Sequence, residues 1–257
     1  MRIGIIQGRL SRPVEGFQEC PKNWQREFDL LPLVGLTHIE WIVTQKSENS
    51  NPIFQEIGKN LPISSICADN FVDSKIFEGS NIEKILSPIC HAARKNSVKS
   101  VTVPLLEDSS LEDPEKLLFF IRNFSPFARE NSDIVFSLET ELSVNKISEL
   151  VKISDNIRLT YDTGNNTSYG VDHGEYIDNF FDKISNVHLK DRLKNGKTVE
   201  PGSGDTNLQE IIRKLNKKGY SGPFTMQFCR GIEGYEIDQC KKHLNHVKSI
   251  YDNIAKI

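Results

Sequence analysis

Short segments in which apolar and polar residues alternate recur along the chain, and this alternation predicts β-strands with two different faces. The clearest segment is 186–190, where Asn186, His188 and Lys190 share one parity and a valine and a leucine share the other. Because successive side chains of a strand point to opposite faces, this strand has one apolar face and one face rich in functional groups. The same split occurs in three further segments, 136–139, 159–162 and 224–228.

Eight short apolar segments alternate with segments whose apolar residues recur every three or four positions, as in helices. Alternating strands and helices favour parallel pairing, and eight such units close most economically into a barrel. A barrel of this kind typically needs about 250 residues, and the chain has 257. The sequence therefore predicts the α/β class and a single (β/α)8 TIM barrel domain over residues 1–257. The predicted strands are 3–7, 39–43, 63–68, 98–103, 134–139, 157–162, 184–190 and 224–229.

Local signals predict where several helices begin and end. Asp113 followed by Pro114 is typical of a helix start, because aspartate caps free N–H groups and proline fits the first helical position. Gly219 after two lysines indicates a helix end. Pro32 should end or kink the first helix, since proline lacks the N–H that a helix interior requires.

Composition and charge exclude several classes of protein. The formal net charge of -3 and the absence of a long basic run give no attraction toward nucleic acid. No segment approaches the ~20 apolar residues of a membrane span, and the apolar N-terminal run is too short for a signal peptide. Five cysteines without a C-x-x-C pair argue against a disulfide framework or a thiolate zinc site. We therefore expect a cytoplasmic protein with no membrane or nucleic-acid partner.

Four polar side chains fall at or near the carboxyl ends of predicted strands: Glu139, Asp162, His188 and Gln227. In a TIM barrel these ends carry the chemistry. Each residue alone is compatible with an ordinary hydrogen-bonded strand end. Together they favour one site, because unpaired polar groups inside a barrel would each cost about 1–3 kcal/mol. Two carboxylates, an imidazole and an amide oxygen suit one divalent cation, Mn²⁺, Mg²⁺, Co²⁺ or Zn²⁺.

Several motifs occur in a distinctive order along the whole chain. They are Glu139 at strand five, Asp-Thr-Gly-Asn at 162–165, His188-x-Lys190-Asp191 at strand seven, and Pro-Gly-Ser-Gly-Asp at 201–205. With segments 3–11 and 39–42, they resemble the sugar phosphate isomerase/epimerase superfamily of xylose isomerase-like TIM barrels. That resemblance implies one metal, bound by Glu139, Asp162, His188 and a fourth ligand from strand eight.

In many members of that superfamily the fourth ligand is a glutamate, which works with the strand-five glutamate as an acid/base pair. Here the position holds Gln227. An amide oxygen can bind a metal but cannot accept a proton at neutral pH. We therefore predict Glu139 as the catalytic base and Gln227 as a metal ligand or substrate contact. Lys190 is predicted to neutralise developing charge or, if burial lowers its pKa, to act as a base.

Five further residues are candidates for contact with substrate. Three are arginines, whose guanidinium groups match carboxylate and phosphate geometry. The others are Glu40, which lies in strand two and could reach the barrel mouth, and Asp191, which follows the strand-seven motif. The set is Arg9, Glu40, Asp191, Arg192 and Arg230.

The favoured hypothesis is a metal-dependent isomerase or epimerase of a small sugar, keto-sugar or sugar phosphate, acting by proton abstraction next to a carbonyl. A dehydratase of a keto-inositol or keto-acid would begin with the same step. A non-catalytic sugar-binding barrel is the third possibility, for which Gln227 is the main argument. An endonuclease is disfavoured by the charge and by too few candidate histidine ligands. We expect a small-molecule sugar as ligand, and a homo-oligomer is possible.

Overall fold

The computed structural model describes residues 1–14, 19–79, 81–194 and 196–254. Within these residues, eight parallel strands pair in chain order and the last pairs with the first, which closes the barrel. The prediction of a (β/α)8 TIM barrel is confirmed. The strands are β1 Arg2–Ile6, β2 Ile39–Ile42, β3 Ile63–Cys67, β4 Ser100–Leu105, β5 Val135–Thr140, β6 Ile157–Asp162, β7 Ile184–Leu189 and β8 Pro223–Met226. The predicted domain 1–257 also includes residues 15–18, 80, 195 and 255–257, which lie outside the described residues.

Helices surround the barrel, and the connections after β2 and β6 depart from one helix per strand. A 3₁₀ turn, Pro52–Phe54, stands where the connection from β2 to β3 would carry an α-helix, and two helices follow β6. A two-stranded ribbon, Asp191–Arg192 with Thr198–Val199, extends the chain beyond β7. The described helices are α1 Gln25–Val34, α2 Ile82–Lys95, α3 Pro114–Glu130, α4 Val144–Leu150, α5 Thr163–Ser168, α6 His173–Phe180, α7 Leu208–Lys217 and α8 Glu236–Ile254.

Two of the three local helix signals act as predicted. The Asp113 carboxylate accepts hydrogen bonds from the backbone N–H groups of Glu115 and Lys116, at 2.7 and 3.2 Å. Gly219 follows the end of α7 with a left-handed φ of 85°. Of the two predicted effects of Pro32, the end of α1 at this residue is wrong. The helix continues to Val34 and ends where Gly35 adopts a φ of 91° and donates to the Leu31 carbonyl, because buried Leu31 and Val34 hold the last turn against the core.

The two faces of the strands have different surroundings. One parity, which includes Phe136, Leu138 and Val187, is fully buried in the main apolar core. The other parity fills the barrel interior with small polar side chains, where TIM barrels usually place branched aliphatic ones. Within that interior, the Ser137 and Thr160 hydroxyls are 2.6 Å apart. A polar interior provides hydrogen-bond partners for charged groups placed deep in the barrel.

None of the described helices combines the length and the apolar character that a membrane span requires.

Candidate active site

Glu139, Asp162 and His188 converge at the carboxyl ends of β5, β6 and β7. Asp162 and His188 are register partners on adjacent strands, and Glu139 pairs with Thr160 one layer below. His188 Nδ1 lies 3.4 Å from Glu139 Oε2 and 3.7 Å from Asp162 Oδ2. One ligand atom from each residue falls within 4.8 Å of the others, and all three side chains are buried. Parallel pairing therefore brings three of the four predicted metal ligands to one point.

Glu40 holds the other side of the imidazole. Its Oε2 lies 2.7 Å from His188 Nε2, and both side chains are completely buried. Thr102 Oγ1 donates to Glu40 Oε1 at 2.7 Å, and Asn186 Nδ2 donates to Oε2 at 3.1 Å. With Nε2–H directed at a carboxylate, a neutral imidazole keeps its lone pair on Nδ1, which faces Glu139 and Asp162.

Charge pairing controls the protonation of these groups. Burial alone would raise the pKa of Glu40, but the His188 imidazolium and three hydrogen bonds lower it to about 2. Burial would likewise lower the pKa of His188, yet the carboxylates of Glu40 and Glu139 raise it well above the ordinary value. For Asp162, Lys190 and His188 outweigh burial, so the pKa falls below its usual range. The centre thus holds charged carboxylates at neutral pH.

The residues of this centre fit a divalent metal ion. Among the described residues, His188 Nδ1 has no hydrogen-bond partner although it is buried between two carboxylates. The carboxylates of Glu40, Glu139 and Asp162, the Lys190 ammonium and the His188 imidazolium give the metal-free centre a formal charge of -1. A ligating imidazole is neutral, so loss of the His188 proton on metal binding would make that charge -2. A divalent cation offsets that charge. A carboxylate behind a ligating imidazole is also the usual arrangement in metal sites, because it fixes the tautomer and the ring orientation.

Lys190 lies at the edge of this centre. Its Nζ is 2.7 Å from Asp162 Oδ2 and 3.3 Å from Asn165 Oδ1. The ammonium is therefore paired with a predicted metal ligand and also lines the cavity above it. This position is compatible with the predicted role in neutralising charge on a bound substrate.

A cavity of about 440 Å³ opens above the three residues. Its wall includes Glu139, Gln227 and three cationic residues, Arg9, Lys190 and Arg192. The loops after β3, β4 and β5 contribute an acidic side to the same cavity: Asp69, Asp73, Glu107 and Glu141. The volume lies within the range of about 300–1,000 Å³ that is typical of small-molecule sites.

Arg9 and Arg192 are the two predicted substrate contacts that line this cavity. Glu40 lies beneath His188 with no exposed surface, so it supports the centre from below and does not reach the barrel mouth. Arg230 lines a smaller neighbouring cavity of about 60 Å³, to which Arg9 also contributes. Asp191 is fully buried and turns toward a loop.

Asp191 organises the loop 202–206. Its Oδ2 accepts the N–H groups of Gly202 and Gly204 at 2.8 and 3.0 Å, and Oδ1 accepts that of Thr206 at 3.2 Å. A Cβ atom on Gly204 would lie 2.2 Å from Asp191 Oδ1, which explains why glycine occupies this position. Asp191 therefore has a structural role. The prediction that it contacts substrate is wrong, because its carboxylate is buried and binds backbone N–H groups of this loop.

Asp191→Ala is expected to destabilise the protein by about 3 kcal/mol or more, because three N–H groups would lose their acceptor and each costs about 1–3 kcal/mol when left unsatisfied. Urea unfolding followed by circular dichroism would measure the change. Asp182→Ala, at an exposed position, is the matched control. Equal unfolding free energies for the two variants would contradict the proposed loop anchor.

Two residues of the site had no role assigned to them from sequence. Asn165, within the motif at 162–165, contacts Glu139, Lys190 and Arg192 through its side chain. Glu141 lines the cavity two residues after Glu139. Asn165 follows Asp162 by three positions, the spacing of a helix cap and the third helical residue, but that spacing alone does not show what the amide contacts.

A family model described as xylose isomerase-like TIM barrel matches residues 118–249, which are just over half of the chain and contain Glu139, Asp162 and His188. The chain belongs to this family. Among curated proteins, none matches this member of the xylose isomerase-like TIM barrel family in sequence.

Solved structures with the same fold include proteins described as a 3-keto-D-glucoside 4-epimerase, a D-tagatose 3-epimerase-like protein, a sugar phosphate isomerase/epimerase and a probable 3-DHS dehydratase. A xylose isomerase domain protein from Planctomyces limnophilus aligns with a TM-score of 0.73 and 13% identity, over 99% of this chain and 98% of its own. The IolI protein, with a zinc atom bound, aligns with a TM-score of 0.69 and 14% identity, over 99% of this chain and 98% of its own. The 3-keto-D-glucoside 4-epimerase YcjR from E. coli aligns with a TM-score of 0.67 and 16% identity, over 97% of this chain and 99% of its own. At these identities the similarity establishes the fold.

Proposed function

We propose that this protein is a metal-dependent isomerase or epimerase of a small sugar, keto-sugar or sugar phosphate. The observation that carries the proposal is the buried centre of Glu139, Asp162 and His188 beneath an open cavity, with Glu40 fixing the imidazole. Epimerases and isomerases among the structures with the same fold support this reaction class.

Glu139, Asp162 and His188 would hold the metal, with the Gln227 amide oxygen as the proposed fourth ligand. A divalent ion bound there supplies a Lewis acid that polarises a substrate carbonyl. Zinc in the structurally similar IolI protein makes zinc one candidate beside Mn²⁺, Mg²⁺ and Co²⁺.

In the proposed reaction Glu139 removes the proton from the carbon next to the carbonyl. Its side chain is 8% exposed and lines the cavity, so a bound substrate can reach it while water is largely excluded. The Lys190 ammonium, at the cavity wall, would stabilise the negative charge that develops on the substrate and would supply the proton that completes an epimerisation. The acidic side of the cavity would accept hydrogen bonds from sugar hydroxyl groups.

Two measurements test the proposal together. Purified protein loaded with Mn²⁺ should bind about one equivalent per chain, and His188→Ala should lose it. Wild-type enzyme incubated with free and phosphorylated ketoses in deuterated water should exchange the hydrogen next to the carbonyl. Product identification then separates an isomerase or epimerase from a dehydratase, which would release water after the same first step. Metal retained after replacement of all three proposed ligands, or the absence of exchange with every ketose, would refute the proposal.

Gln227→Ala is expected to weaken metal or substrate binding, whereas Gln227→Glu should retain the metal. Gln227 directly follows β8, and its N–H donates to the Leu189 carbonyl at 2.9 Å, so the side chain keeps the inward parity and lines the cavity. Metal affinity and the KM for exchange would be compared with those of Gln209→Ala, an exposed control on α7. Unchanged metal content and turnover in Gln227→Ala would remove this residue from the site.

A further inference from the structure

Asn165 lies between the proposed base and two cationic side chains. The residue is 7% exposed, and its Nδ2 donates to Glu139 Oε1 at 3.1 Å. Its backbone N–H donates to Asp162 Oδ1 at 2.7 Å, which fixes the start of α5 against β6. Asn165 therefore contacts two of the proposed metal ligands, one through its side chain and one through its backbone.

The chemistry of its neighbours determines which way the amide points. Asn165 Oδ1 accepts from Arg192 Nη1 at 2.9 Å and from Lys190 Nζ at 3.3 Å. Arginine and lysine can only donate, and an ionised carboxylate can only accept. The reversed amide would direct its NH₂ at two donors and its oxygen at Glu139. The orientation with NH₂ toward Glu139 is thus the one that satisfies every group.

Arg192 is itself held in place. Its Nε and Nη2 donate to the Gly196 carbonyl at 3.1 and 2.9 Å, within the ribbon that follows β7. Gly164 allows α5 to approach this region, because a Cβ atom there would lie 2.8 Å from Lys190 Cγ and 3.0 Å from Arg192 Cγ. A continuous series of contacts therefore runs from the ribbon through Arg192 and Asn165 to Glu139.

We propose that Asn165 is a positioning residue for Glu139, a role that rests on the proposed function. Its amide fixes Oε1 and so limits rotation of the carboxylate, while Oε2 faces His188 Nδ1 at 3.4 Å. Glu139 is thereby held in one orientation before substrate binds. Groups that orient the ligands of a metal site typically affect affinity or activity by about 10- to 100-fold.

Asn165→Asp is the sharpest test, because it preserves size and keeps an oxygen acceptor for Arg192 and Lys190 but directs a second carboxylate oxygen at Glu139. We expect kcat for hydrogen exchange to fall by about 10- to 100-fold with little change in KM. Asn165→Leu, which removes both amide functions, should also lower kcat. Asn179→Asp, on the exposed side of α6, is the matched control and should retain wild-type kcat.

The visible spectrum of the Co²⁺-loaded protein gives a readout that does not depend on a substrate. A change in the orientation of Glu139 should alter this spectrum in Asn165→Asp while the protein stays folded and its Co²⁺ stoichiometry at saturating metal stays at the wild-type value. Asn179→Asp should leave the spectrum unchanged. If Asn165→Leu does not fold, Asn165→Asp still tests whether Asn165 positions Glu139.

Wild-type kcat together with an unchanged Co²⁺ spectrum in Asn165→Asp would overturn the positioning role. The role would also be overturned if Asn165→Asp were less stable than wild type but its folded form kept the wild-type kcat. Failure of the proposed function is recognised separately, in the wild-type protein. If wild type exchanges no ketose hydrogen yet binds Co²⁺, an altered spectrum in Asn165→Asp still supports the proposal that Asn165 orients the Glu139 carboxylate. If wild type shows neither exchange nor Co²⁺ binding, both proposals are refuted.

Discussion

Glu139→Gln is expected to lower the rate of hydrogen exchange next to the substrate carbonyl by about 10²- to 10⁴-fold, the usual contribution of a positioned acid or base. Glutamine retains the shape of the side chain and can still accept the Asn165 hydrogen bond through its amide oxygen. It cannot accept a proton at neutral pH. Deuterium incorporation measured by mass spectrometry, at equal metal occupancy, would separate loss of the base from loss of the metal.

Glu141→Gln is the matched control for this experiment. Glu141 lines the same cavity two residues later, and burial, together with the carboxylates of Glu139 and Asp162, raises its pKa to about 7. A carboxyl group of that pKa is the strongest competitor for the role of base. If Glu141→Gln stops exchange and Glu139→Gln does not, the base has been assigned to the wrong residue.

The barrel and its central residues could be predicted because both depend on local periodicity. Alternating parity in β5, β6 and β7 separates apolar from polar faces without knowledge of the partner strand. Glu139, Asp162 and His188 each end such a polar face, so their convergence follows once the strands are parallel and adjacent. No long-range information was needed beyond closure of the barrel.

The position of Glu40 depended on register, which a single strand does not reveal. β2 pairs with β3 through a register shift at Ile39 and Glu40, and the side chain of Glu40 lies below His188. The sequence predicted that Glu40 lies in strand two and could reach the barrel mouth, but it did not show how deep the side chain lies. For Asp191 the difficulty was different, because beyond the end of β7 the alternation of a strand no longer determines where a side chain points.

The end of β8 shows how hydrogen bonding can extend a face beyond regular structure. The predicted strand ran to residue 229, whereas β8 ends at Met226. The Gln227 N–H still bonds to the Leu189 carbonyl, so the inward parity persists for one more residue. The predicted strand was therefore three residues too long, but the prediction that Gln227 points into the site is unaffected.

Glu40→Leu is expected to destabilise the metal-free protein by about 3–5 kcal/mol, the usual effect of removing one partner of a buried ion pair. Thr102, Asn186 and His188 would all lose their shared acceptor. Glu40→Gln retains one acceptor oxygen and should fold. Its metal affinity should fall by about 10- to 100-fold, because the imidazole loses the carboxylate that orients it. Urea unfolding in EDTA and metal titration would measure the two effects, with exposed Glu149→Gln as control.

The pH dependence of this destabilisation tests the ion pair itself. The pKa of Glu40 is lowered from 4.5 to about 2, so its stabilising effect is complete above about pH 4.5 and is lost as pH falls toward 2. The pKa of His188 is raised above 6.5, so its effect is complete below about pH 6.5 and is lost as pH rises through the raised value. The difference in unfolding free energy between wild type and Glu40→Gln should therefore be largest between about pH 4.5 and 6.5 and decrease on both sides. A difference that is constant from pH 2 to pH 9 would mean that packing, and not charge, accounts for the role of Glu40 beneath the site.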